Sequence, residues 1–127
     1  LMPAFESAFW RRRWLAVADE RARHLETWCS INAQLERQPG WFQLSEKARA
    51  EAESVAGLPQ LDRRLRAMDR RLRRWLRSLP TAPSRDLDEV VVNLSVAERL
   101  LPPEENRVVH GLISRAVRDL SRMRDRP

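Results

Sequence analysis

The chain has one cysteine, no tyrosine, two histidines, three glycines and a single lysine, Lys47, among its 127 residues. Each shortage removes a class of explanation. A lone Cys29 leaves no internal disulfide framework. His24 and Cys29 stand five residues apart, on different faces of a helix, so they offer neither metal-ligand spacing nor a Cys-His nucleophile. No glycine-rich phosphate loop and no Asn-Gly or Asp-Gly hairpin turn occurs. No apolar run approaches the roughly 18 residues of a membrane span, and Leu1 through Trp14 lack the basic-then-apolar order of a secretory signal. These absences predict a cytoplasmic protein that is not an enzyme, takes no metal or cofactor, and has no membrane partner.

What is present is 43% hydrophobic and 33% charged residues, the composition of a folded chain, and 127 residues suit one domain. Apolar side chains recur at steps of three and four, so the fold class is all-α. Proline and glycine interrupt this pattern at Gln38-Pro39-Gly40, Gly57-Leu58-Pro59, Leu79-Pro80-Thr81-Ala82-Pro83-Ser84 and Pro102-Pro103. They divide a single domain, 1–127, into five helices near 7–37, 46–56, 60–79, 86–101 and 104–125.

The first helix carries Trp10, Trp14, Val17, Leu25, Trp28 and Leu35 on one stripe, interrupted by Arg21 and Asn32. Cys29 lies near that stripe and reads as a small core residue. Phe5 and Phe9 fall on the other side of the wheel; either the helix starts after them or they meet a second surface. Ser45 is an expected N-cap for the second helix and Gly57 its terminator. In the third, Leu61, Leu65, Met68, Leu72, Trp75 and Leu79 alternate steps of four and three, which predicts one buried face. The fourth starts with Asp86 and Glu89 in capping-box spacing and places Leu87, Val90, Leu94, Ala97 and Leu101 inward. The fifth is expected to begin at Pro103, with Glu104 and Glu105 in its first turn and a core stripe of Val109, Leu112, Ile113, Ala116, Leu120 and Met123. The last two helices should form a hairpin or a sharp corner.

Charge is distributed unevenly. The whole chain has 24 Lys+Arg against 18 Asp+Glu, a net of +6. Between Asp62 and Arg77 stand eight arginines and two aspartates; setting these aside leaves 16 bases and 16 acids in the rest of the chain. The excess therefore belongs to the third helix. On a wheel of 100° per residue, Arg63, Arg66, Arg70, Arg73, Arg74 and Arg77 share the face opposite the apolar stripe, while Arg64 and Arg71 flank its edge. Such a face can serve simply as a solvated surface, but solvated faces usually alternate sign. Here only Asp62 with Arg66 and Asp69 with Arg73 offer i,i+4 pairs, and the remaining arginines repel one another. Guanidinium groups grip phosphate oxygens bidentately, so the predicted sites are these six arginines. Weaker candidates are Arg11, Arg12 and Arg13, interleaved with Trp10 and Trp14, and the row Arg115, Arg118 and Arg122 on the last helix. Arginine almost alone suits backbone contact better than base reading.

An all-helical chain with one arginine-loaded helix, Leu61-Asp62-Arg63-Arg64-Leu65-Arg66 through Arg73-Arg74-Trp75-Leu76-Arg77, resembles in architecture the small-subunit family of multisubunit CRISPR effector complexes. The stretch Asn93-Leu94-Ser95-Val96-Ala97-Glu98-Arg99-Leu100-Leu101 leading into a last helix adds to the likeness. The resemblance implies an antiviral ribonucleoprotein in which copies line up along a guide-bearing filament. Their basic surfaces would hold a guide–target duplex or a displaced strand. A departure is the region from Asp86 to Glu105, with six acids and one base, which suits a basic protein neighbour.

The expected function is thus a non-catalytic nucleic-acid-binding subunit, contacting RNA or an RNA–DNA hybrid through the phosphate backbone. Its protein partners would be other subunits or further copies of itself. The alternative is a helical adaptor, or an antitoxin-like module, docking its basic helix on an acidic protein. A third expectation, a basic amphipathic helix on anionic lipid, is opposed by the need of the 61–79 stripe for the protein's own core.

Overall fold

The structure, a computed structural model, describes residues 4–78 and 83–126, with side chains from residue 9 onward. The Phe5 side chain, Leu79 and the segment 80–82 lie outside the described residues. The fold is all-α: α1 (Ala4–Glu36), a single 3₁₀ turn (Trp41–Gln43), α2 (Glu46–Ala56), α3 (Leu58–Ser78), α4 (Leu87–Leu100) and α5 (Arg107–Asp125). These helices fall into two compact units. One comprises Asp19–Arg74; the other comprises the chain up to Ala18 together with Trp75 onward.

Local chemistry explains each boundary in the Asp19–Arg74 unit. After α1 the chain turns at Gly40, whose φ of 76° lies in the left-handed region that glycine enters without a Cβ penalty. That turn lets the Trp41 N–H donate to the Gln38 carbonyl at 3.1 Å and sends the indole inward. Ser45 caps α2, its Oγ accepting from the Ala48 N–H at 3.1 Å. Gly57, at φ 90°, ends α2 and at once starts α3, because its carbonyl accepts from the Leu61 N–H at 3.2 Å. Pro59 falls in the first turn of α3, where its missing N–H costs nothing, so α3 begins two residues earlier than the expected 60. Leu35, Trp41 and Leu58 form the buried cluster, with Trp28, Ile31, Ala52 and Ala56 packed against it. Fully burying an apolar side chain contributes about 1.5–3 kcal/mol, so these three tie the end of α1, the 3₁₀ turn and α3 together. Leu65, Met68 and Leu72 are buried as the heptad-like spacing predicts.

Two residues of α1 depart from the expected stripe. Leu25 is exposed despite its place on the stripe, and Cys29 is a free, exposed thiol rather than a core residue. The polar intrusions explain the loss of a continuous stripe: Arg21 pairs with Asp69 of α3, and Asn32 donates to Glu36 Oε1 at 3.2 Å.

In the other unit the buried side chains are Trp14, Val17, Val91, Val92, Val96 and Glu89. The α4 stripe was expected to be Leu87, Val90, Leu94, Ala97 and Leu101; all five are only half-buried, and the Val91/Val92/Val96 side goes inward instead. A helix with apolar residues around most of its circumference has no single stripe for the periodicity to find. Asp86 caps α4, its Oδ1 accepting from the Glu89 N–H at 2.9 Å. The Glu89 carboxylate, expected to reach back to Asp86, reaches one residue further and accepts from the Arg85 N–H at 2.7 Å and Arg85 Nε at 3.2 Å.

α5 starts at Arg107, not at Pro103–Glu104. The Pro102 carbonyl accepts from the N–H groups of both Glu105 and Asn106 at 3.2 Å, so residues 103–105 are spent in a tight turn before the helix begins. α4 and α5 pack on one another as the short connection predicts. The expected α5 core stripe is only partly covered. Ile113, Ala116 and Leu120 are half-buried, whereas Val109, Leu112 and Met123 are exposed.

Candidate functional site

The arginine-rich face of α3 stands on a helix whose opposite face is fixed by Leu65, Met68 and Leu72. Burial of that stripe leaves the remaining arc for solvent, and all eight arginines from Arg63 to Arg77 are exposed. Six of them, Arg63, Arg66, Arg70, Arg73, Arg74 and Arg77, occupy an arc of about 100°. From Arg63 to Arg77 the helix rises about 21 Å, comparable with some six phosphates of one strand at about 3.4 Å each.

The expected i,i+4 pairs do not form. Arg66 donates its Nε to the main-chain oxygen of Asp62 at 3.4 Å, not to the carboxylate. Asp69 is taken by α1 instead, with Arg21 Nε 2.5 Å from its Oδ1 and Nη2 3.4 Å from its Oδ2. Arg64, at the edge of the face, lies 3.8 Å from Glu20 of α1, and Glu20 also meets His24 at 3.5 Å. Arg63, Arg66, Arg70, Arg73 and Arg77 therefore have no carboxylate partner among the described residues. α1 enhances the charge of α3 by drawing Asp69 away from Arg73. Sequence reading missed this, although Arg21 in an apolar stripe was the available signal: a cation there needs an acid on the neighbouring helix.

The weaker candidates separate into different environments. Arg12 forms a close ion pair with Asp88 of α4, which also holds Arg124 at 3.2 Å. Arg11 is half-buried; burial pushes its guanidinium pKa down, opposed by the negative charge of Glu89. Arg13 is exposed and has no ion-pair partner among the described residues. Arg12 thus serves the fold of its own unit. In α5, Arg115, Arg118 and Arg122 line a surface hollow of about 580 Å³ together with Val117, Asp119 and Ser121. Arg122 is engaged there by Asp119.

The acidic stretch from Asp86 to Glu105 is not a free acidic face. Asp86 caps α4, Asp88 binds two arginines, and Glu89 is buried against Arg85. Only Glu104 and Glu105 of the six acids are both exposed and without such a role. Three aromatic residues of the expected stripe are placed as structural groups. Trp14 is buried, Trp28 packs on the Leu35–Trp41–Leu58 cluster, and Trp10 sits edge-on to Trp75 of α3 at 6.0 Å and to Phe9 at 5.3 Å.

Among the described residues no three His, Cys, Asp or Glu side chains come together as a metal site, and no helix is long and apolar enough to cross a membrane. No family model matches the chain, and no curated protein or solved structure is detectably similar to it.

Proposed function

We propose that this chain is a non-catalytic subunit of a ribonucleoprotein, contacting the phosphate backbone of RNA or an RNA–DNA hybrid through α3 without strong sequence preference. In architecture this is the role of CRISPR effector small subunits. The observation that carries it is the set of five exposed arginines, Arg63, Arg66, Arg70, Arg73 and Arg77, with no carboxylate partner on one face of one helix. A row of like charges costs the free protein a few tenths of a kcal/mol per i,i+4 pair, and a polyanion relieves that cost. Arginine's planar fork matches phosphate oxygens, while the face offers little of the Asn and Gln chemistry that reads base edges. Membership of a larger assembly is supported by α5, where Val108 (73% exposed) and Leu112 (59% exposed) leave apolar surface for a protein neighbour.

The test is fluorescence anisotropy of labelled oligonucleotides of unrelated sequence, titrated with the full chain between about 50 and 200 mM salt, where phosphate contacts lose most affinity. Five contacts predict a log–log salt slope of about −3.5 on single strands and about −4.5 on duplexes. An Arg66/Arg70/Arg73→Glu variant with unchanged helicity by circular dichroism should lose binding, and an Arg→Gln version should flatten the slope by two to three. Failure of the wild-type chain to bind any oligonucleotide at the lowest salt overturns the proposal and turns attention to an acidic protein partner for the same helix.

A further inference from the structure

The arginine face also discriminates between single and double strands, and we infer that its ligand is a duplex. This rests on the proposed phosphate-contacting role of α3 and deepens it. Proteins that hold single strands add a second source of affinity to phosphate contact, the stacking of unpaired bases on aromatic rings. α3 has one aromatic residue, Trp75, and it is half-buried with its ring edge-on to Trp10 at 6.0 Å. Within the Asp19–Arg74 unit the indoles of Trp28 and Trp41 belong to the buried cluster. The exposed ring of that unit, Phe42 (67% exposed), lines a hollow of about 350 Å³ whose charged walls are Glu36, Glu46, Glu53 and Arg49. Three carboxylates against one guanidinium leave the ring in a net negative hollow, which repels the phosphates that any stacked base would bring with it. Four of the five arginines, Arg63, Arg66, Arg70 and Arg73, thus belong to a unit that has no stacking platform and whose one open aromatic stands in net acidic surroundings.

Without stacking, charge density decides. A duplex has one phosphate per about 1.7 Å of axis, twice the density of a single strand, and releases about 0.9 rather than 0.7 counterions per phosphate neutralised. For five arginines the two slopes differ by about one, so with equal affinities at 1 M salt the same contacts favour a duplex about tenfold at 0.1 M and about fivefold at 0.2 M. The face has suitable dimensions as well. Along α3, Arg63, Arg66, Arg70, Arg73 and Arg77 share an arc of about 80°, at rises of about 4.5 and 6 Å in alternation. A stiff duplex meets a helical row of side chains without being ordered by it, whereas a flexible strand must lose conformational freedom to follow the same row.

The experiment compares labelled 30-mers of unstructured single-stranded RNA and DNA with duplex DNA, duplex RNA and an RNA–DNA hybrid of the same length, on the full chain at 0.05, 0.1 and 0.2 M salt. A duplex preference of about tenfold at 0.1 M, narrowing as salt rises, is the expected result; the three duplex arms show whether helical form matters in addition. The Phe42→Ala variant should bind duplexes as the wild type does. Single strands that bind as tightly as duplexes, or that lose affinity in Phe42→Ala, overturn the duplex assignment while leaving phosphate contact by α3 intact. Absence of binding to every oligonucleotide overturns both.

Discussion

Replacing Glu89 with alanine should be the most damaging single change at the start of α4. The side chain is buried, with only 9% of the residue exposed, and its two oxygens divide their work between the Arg85 N–H at 2.7 Å and Arg85 Nε at 3.2 Å. A hydrogen bond to a charged group contributes about 1.5–3 kcal/mol, and the exposed guanidinium adds at most about 1 kcal/mol through screened attraction. Arg85 is itself exposed, so its N–H regains water when the carboxylate is removed, which sets the hydrogen-bond contribution near its lower figure and, with about half of the screened attraction, the expected loss at about 2 kcal/mol. Unfolding entropy near 2.1 cal/mol/K per residue converts this to a fall in Tm of about 7–8 °C for a chain of this length. Glu89→Gln keeps an acceptor for the Arg85 N–H and should lose about half as much. Thermal unfolding followed by circular dichroism at 222 nm reads both. A Glu89→Ala protein that melts within a degree of the wild type would refute the claim that this carboxylate holds the segment before α4.

Gly57 and Gly111 should respond to alanine in opposite directions. Gly57→Ala forces a Cβ into φ 90° and should destabilise by about 1 kcal/mol, whereas Gly111→Ala, in the middle of α5 with nothing within 4 Å of the added atom, should stabilise by about 0.5–1 kcal/mol; denaturant midpoints measure both. Cys29, exposed on α1, should react fully with Ellman's reagent in the native protein, and a thiol that reacts only after unfolding would contradict its placement.

The fold class was legible because proline and glycine fall where helices stop, and because Ser45, Gly57 and Asp86 are residues whose side chains or conformations suit caps. The α3 stripe was legible for a related reason: its polar face is so strongly charged that only one face remains to bury. Trp41 was not picked out, since a buried residue in a 3₁₀ turn belongs to no periodic pattern. α4 was misread because its apolar residues surround it, and α5 because a clean stripe tells which residues are apolar and not whether anything covers them. The arginine face was visible as a count, but the lack of a carboxylate partner for Arg73 depends on Arg21 and Asp69, 48 residues apart, meeting across two helices. No local pairing rule spans that distance.

The apolar surface left open on α5 also governs how the protein behaves in concentrated solution. With a net charge of +6, molecules are kept apart chiefly by mutual repulsion. That repulsion reaches about 10 Å in 0.1 M salt and only about 3 Å at 1 M. Val108, Leu112 and Met123 are uncharged, so contacts between them do not weaken as the salt rises, and sulfate-type salts strengthen them. Colloidal stability and phosphate affinity are therefore drawn from the same charge: the brine that strips a polyanion from α3 also removes the barrier that keeps α5 from meeting another apolar surface.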